Sequence, residues 1–139
     1  LNTDCIFCKI AAGKLPSVKV YEDADILAFM DIGPIVKGHT LIIPKPHYEV
    51  ITETPAEVLQ KLILAVKKIA QAQIKGLSAQ GINILQANGE VSGQIVPHIH
   101  FHIIPRFNSN GHLRNWKPGK YNSQEEMEQV AAKIREAVK

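Results

Sequence analysis

The run His98-Ile99-His100-Phe101-His102-Ile103-Ile104, followed by Pro105, alternates imidazole with apolar side chains. A period of two is the mark of a strand, so the three imidazoles fall on one face and Ile99, Phe101 and Ile103 turn to a core on the other. Same-face side chains lie roughly 6.5–7 Å apart, so one phosphate-sized group can touch two or three of these rings. Three of the six histidines fall within five residues, which argues against chance alternation. Two chemistries suit such a face. Neighbouring strand histidines can ligate zinc, or a neutral imidazole can attack phosphorus while its neighbours donate hydrogen bonds. The preceding loop, Asn88-Gly89-Glu90-Val91-Ser92-Gly93-Gln94, favours the second, because glycine-bearing loops can aim backbone N–H groups at a phosphate.

Outward from this run, helix and strand signals alternate. Ile6 to Ala11 reads as a short helix ending at Gly13, and Val18–Tyr21, Ile26–Asp31 and Thr40–Ile43 as strands. A long amphipathic helix is predicted from about Pro55 to Lys75, with Thr54 as N-cap, Glu57 completing a capping box and Gly76 as the stop. Its apolar residues Val58, Leu59, Leu62, Ile63, Val66, Ile69 and Ala70 recur at helical spacing. Ile82–Leu85 and His98–Ile104 are further strands. Ser123 and Glu126 cap a C-terminal helix with Met127, Val130, Ala131, Ile134 and Val138 inward. Three strands, a crossover helix and two strands predict an α+β fold: an antiparallel sheet of about five strands with helices on one side.

Composition narrows the function. The 139 residues, 45% of them hydrophobic, fit one domain spanning 1–139. A net charge of +3 with dispersed Lys and Arg is too weak for a nucleic-acid partner, though it suits a phosphate-bearing small molecule. No apolar run approaches the roughly 20 residues of a membrane span, and no signal peptide is expected, so the expected location is cytoplasmic. There Cys5-x-x-Cys8 reads as a metal half-site or redox pair. The redox reading is weak, because the pair precedes any strand.

The chain resembles the histidine triad (HIT) superfamily, whose hallmark His-φ-His-φ-His-φ-φ (φ apolar) is matched by residues 98–104. The resemblance covers roughly residues 4–106, through Asp4-Cys5-Ile6-Phe7-Cys8-Lys9-Ile10, Phe29-Met30-Asp31-Ile32, Gly38-His39-Thr40, Pro44-Lys45-Pro46-His47 and Gly93-Gln94. It is nearest the bacterial Hint-like branch and leaves 107–139 as a C-terminal extension with its helix. The resemblance implies that His100 is a nucleophile attacking the α-phosphorus of a nucleotide, and that water then cleaves a nucleotidyl-histidine. His98 and His102 would steady the phosphoryl oxygens together with N–H groups around Gly93 and Gln94, and His39 would support the triad. Asp31 matches the position that binds the ribose hydroxyls. Ile6, Phe7, Ile10, Phe29 and Ile32 match an apolar slot for the base, although Ile10 reads better as core. Asn88 fits the bacterial form of the phosphate loop.

Two departures stand out: Ile95 replaces a Ser or Thr that touches the phosphate or leaving group, and Ala87 replaces a frequent Asn. The resemblance further implies a structural zinc held by Cys5, Cys8, His47 and His98, no metal requirement for catalysis, and a homodimer whose sheets join. The expected activity is hydrolysis of a purine nucleotide conjugate such as an AMP-amine. The rival expectations are a metal-dependent hydrolase with the triad as zinc ligands, and a nucleotide- or partner-binding module with vestigial hydrolysis.

Overall fold

A computed structural model describes residues 4–108 and 116–139, and His112 lies outside them. In chain order the α-helices and strands are α1 (Ile6–Ala11), β1 (Lys19–Glu22), β2 (Ile26–Met30), β3 (Thr40–Pro44), α2 (Ala56–Leu77), β4 (Gly81–Leu85), β5 (Phe101–Arg106) and α3 (Gln124–Val138). The strands form one sheet of order β1-β2-β3-β5-β4 with every pair antiparallel. Because β3 and β4 both run against β5, they are parallel to each other, and α2 is the crossover between them.

Alternation sets two layers of core. Ile26, Ala28, Met30, Ile42, Ile99 and Ile103 face α2 and α3, meeting Leu62, Val66, Ile69, Met127, Ala131 and Ile134. Leu27, Phe29, Leu41 and Ile43 point the other way and are covered by Cys5, Phe7, Cys8 and Ile10 of the α1 region. The helices are therefore not all on one side: α1 covers the face that carries the histidines.

Four further sequence expectations change. Thr54 does not cap α2; its hydroxyl donates to Val50 O, at the N-cap of the 3-10 turn Ile51–Glu53, and Pro55 occupies the N-cap of α2 in extended backbone. Gly76 does not stop α2. A Cβ there would meet Lys133 O at 2.3 Å, so the glycine admits α3, and Ser78 at φ 59° ends the helix. Ile63 is 53% exposed rather than inward. Finally β5 starts and ends later than predicted. Ile99 N–H is spent on Tyr48 O, outside β3. Pro105 is tolerated inside β5 because pairing with β3 ends at Ile103. Arg106 O accepts from Gln80 on the β4 side, so the nitrogen of Pro105 points to the side where no strand follows.

Candidate active site

Each ring of the histidine face has its tautomer set by a partner of fixed role. His100 Nδ1 lies 2.7 Å from His98 O. A carbonyl only accepts, so Nδ1 carries the proton and Nε2 keeps its lone pair. Ile35 N–H donates to His39 Nδ1 at 3.1 Å, which places the proton of neutral His39 on Nε2. That proton is donated to His102 Nδ1 at 2.9 Å, leaving His102 with an Nε2–H. A lone-pair nitrogen and an N–H thus stand on neighbouring rings whose centroids are 5.0 Å apart.

Burial keeps these rings neutral. It pushes His102 down to about 3, helped by His100 and His39, and it also lowers His100 and His39 from the ordinary imidazole value. The 3.5 Å approach of Asp31 Oδ2 to His39 Nε2 is therefore a contact with a neutral ring, not an ion pair.

His100 and His102 open into a cavity of about 610 Å³ with predominantly apolar walls. Ile6, Phe7, Phe29, Asp31, Ile32, Gly93 and Ile95 all line it, and so does Ile10, which is both wall and core. Phe7 packs edge-on against Phe29 at 5.5 Å and His100 at 5.1 Å, joining the slot to the histidines. Asp31 Oδ1 accepts from Gly33 N–H at 2.8 Å. Leu15, Val18, Gln124 and Met127 also form walls, and nothing local in the sequence distinguished them from loop or core.

Three expected contacts are not made. His98 is fully buried and does not line the cavity; it reaches His100 through its carbonyl, not its ring. Gly93 N–H and Gln94 N–H are spent on Glu90 O and Gly89 O, while the Gln94 side chain ties Gly89 N–H to Glu49 O and Val96 O. Asn88 likewise braces the loop, accepting from Ile51 N–H and donating to Gln86 Oε1. Ile95 differs: its backbone N–H has no partner among the described residues, and its side chain is 91% exposed at the cavity wall.

The ring of His98 belongs to a second cluster. Its Nε2–H donates to Pro44 O at 2.8 Å, which leaves the Nδ1 lone pair facing Cys5 Sγ (3.4 Å), Cys8 Sγ (3.5 Å) and His47 Nδ1 (3.2 Å). Cys8 Sγ lies 3.3 Å from His47 Nδ1. A zinc tetrahedron with bonds of 2.0–2.3 Å has edges of roughly 3.3–3.8 Å, so these four donors fit that ion. The local fold explains the spacing: Cys5 caps α1 by accepting from Cys8 N–H, which turns both sulfurs to one side. Asp31, His39 and His102 are also within metal-ligating reach of one another. There Ile35 N–H occupies His39 Nδ1, so an ion at Nε2 would need an imidazolate or a broken bond, and the set is a poor cation site. The triad rings do not share one donor set, since His98 turns toward the cysteines.

Comparison with known proteins agrees with this architecture. The HIT domain family model matches residues 12–109, and the chain belongs to that family. An adenosine 5′-monophosphoramidase of Schizosaccharomyces pombe is 40% identical over 135 residues, 97% of this chain and 98% of the relative. A HIT-like protein from Bartonella henselae superposes with TM-score 0.89 at 43% identity, covering 99% of this chain and 98% of its own. A zinc-bound histidine triad protein from Mycobacterium smegmatis gives TM-score 0.86 at 36% identity, covering 96% and 92%.

Proposed function

We propose that this protein is a nucleotidyl hydrolase that cleaves purine nucleoside 5′-phosphoramidates, such as AMP joined to an amine, through a nucleotidyl intermediate on His100. The observation that carries this reading is the 2.7 Å contact of His100 Nδ1 with His98 O, which leaves Nε2 unprotonated at the wall of the cavity. In the first step the Nε2 lone pair forms a bond to the α-phosphorus and the phosphorus–nitrogen bond breaks. The departing nitrogen takes the proton of His102 Nε2, which His39 Nε2–H supports from behind. Water then attacks phosphorus and gives one proton back to His102 Nε2, the bond to His100 Nε2 breaks, and the nucleotide leaves with the hydroxyl of water. Asp31 Oδ2 accepts from the ribose hydroxyls, the apolar walls around Phe7 and Phe29 hold the base, and Ile95 N–H meets a phosphoryl oxygen.

The 40% identical relative named as an adenosine 5′-monophosphoramidase supports the same substrate class. Zinc bound by Cys5, Cys8, His47 and His98 would supply a rigid cross-link between α1 and the residues before β5, with no role in the displacement. Residues 1–139 act as one unit, since Met127, Ala131 and Ile134 of α3 share the core of α2. The chain pairs as a homodimer along β4, a sheet edge whose Ile84 and Leu85 are 51% and 40% exposed. Cys5 and Cys8, reduced and not joined in a disulfide, suit the cytoplasm, and no helix among the described residues is long and apolar enough to cross a membrane.

The test is release of the amine from a fluorogenic AMP phosphoramidate. Wild type is expected to turn over with or without EDTA in the assay, and His100→Ala to lose at least about a hundredfold in kcat/KM. Full activity in His100→Ala, or abolition by EDTA with recovery on added zinc, would overturn the reading.

A further inference from the structure

We propose that Gln73, on the buried side of α2, is a positioning residue that holds His39 and His102 in the single tautomeric arrangement described above. The side chain is fully buried. Its amide NH₂ donates to Gly38 O and Ile103 O, each at 3.0 Å, with Thr40 Oγ1 at 3.3 Å. Those two carbonyls belong to the residue just before His39 and the residue just after His102. Direct pairing of β3 with β5 ends at Thr40 and Ile103, so His39 lies one residue beyond the last rung. The amide of Gln73 joins the two chains at the point where their ladder stops.

The far side of the same turn is held too. Gly38 N–H donates to Tyr121 Oη at 2.9 Å, so its two flanking peptide groups are gripped from α2 and from the C-terminal extension. Gly38 itself cannot be exchanged for a stiffer residue: it sits at φ +107°, and a Cβ would meet Leu77 Cδ1 at 2.6 Å. Gln73 Oε1 meanwhile has no partner among the described residues, although it is buried. An orphaned acceptor counts against the fold, so the value of the residue lies in its NH₂. The grip matters because a 2.9 Å ring-to-ring bond tolerates little drift. If the two chains part, His102 Nδ1 loses its donor, and the proton of the ring is no longer confined to Nε2.

The test reads ring tautomers by ¹⁵N NMR in the metal-loaded protein, together with steady-state kinetics. Wild type is expected to show Nε2–H on both His39 and His102; mixed tautomers there would overturn the inference without any variant. Gln73→Met keeps the length of the side chain but donates nothing. It is expected to give His102 a measurable Nδ1–H population and to lower kcat about tenfold, with KM held within about twofold. Should that variant not fold, Gln73→Asn, too short to span both carbonyls, carries the same expectation. Unchanged tautomers in the folded variant, or a kcat within about twofold of wild type, would overturn the proposal. Only the kinetic arm rests on the proposed hydrolysis. A tautomer change in a protein whose wild type shows no turnover would leave the role of Gln73 standing and the hydrolase reading refuted.

Discussion

Lowering the pH perturbs this site less than an ordinary histidine site, and the structure sets the direction. Protonating His100 at Nε2 removes the proposed nucleophile, and protonating His102 at Nδ1 breaks its bond to His39. A free imidazole has a pKa near 6.5, so a site limited by one loses about tenfold in activity at pH 5.5. Here burial pushes His102 down to about 3, and it lowers His100 despite the opposing pull of the His98 carbonyl and Asp31. The acid limb of kcat/KM is therefore expected to have its midpoint below 6.5.

The same depression acts on stability. The unfolded chain takes up protons that the folded one refuses, so the contribution of these rings is complete above about pH 6.5 and is lost as pH falls toward the folded value. For His102 alone the loss at pH 5 is about 2 kcal/mol, worth several degrees in Tm for a domain of this size. The assay is a pH series of kcat/KM on the fluorogenic phosphoramidate beside thermal unfolding in the same buffers. A kinetic midpoint at or above 6.5, or a Tm that does not fall between pH 7 and 5, would refute the reasoning.

Two substitutions test the scaffold. Gly76→Ala gains about 1 kcal/mol of helix propensity, yet its Cβ would meet the Lys133 carbonyl at 2.3 Å and Ala137 Cβ at 3.1 Å. A backbone carbonyl cannot swing aside, so the net effect is a loss of about 1–3 kcal/mol, read in urea unfolding; a stabilised variant would contradict the packing. Cys8→Ala removes a sulfur that faces both His47 and His98. Zinc per folded chain, measured by atomic emission after gel filtration, should fall to near zero, and a full complement would show that the ion is held elsewhere.

How far the sequence could be read depended on whether a residue's role is local. The triad was legible because alternation is a local signal: His98, His100 and His102 share a face, with Ile99 and Ile103 opposite in the α2–α3 core, although only His102 falls within β5. The succession of strands along the chain and the crossover helix followed from period and punctuation; the order of strands in the sheet did not. Gly76 was misread because a glycine that ends a helix and one that admits a neighbouring helix look alike until α3 is placed. The pattern Thr54-Pro55-Ala56-Glu57 satisfies a capping box, but the preceding 3-10 turn competes for the Thr54 hydroxyl. The N–H groups of Gly93 and Gln94 were expected at the phosphate, and their capture within the loop is visible only in three dimensions. Gln73 lay between Ala72 and Ile74 with no motif to mark it, since its partners are backbone carbonyls 30 and 35 residues away in sequence.

The central claim is that Nε2 of His100 becomes covalently bonded to phosphorus. Acid or base quenching of wild type in mid-turnover, followed by intact-mass and peptide-level mass spectrometry, tests it most directly. The expected result is a transient adduct of nucleotidyl mass on the peptide carrying residues 98–102, mapped to His100 and absent from His100→Ala. Rapid turnover with no adduct at any quench time, or an adduct on His98 or His102 instead, would contradict it.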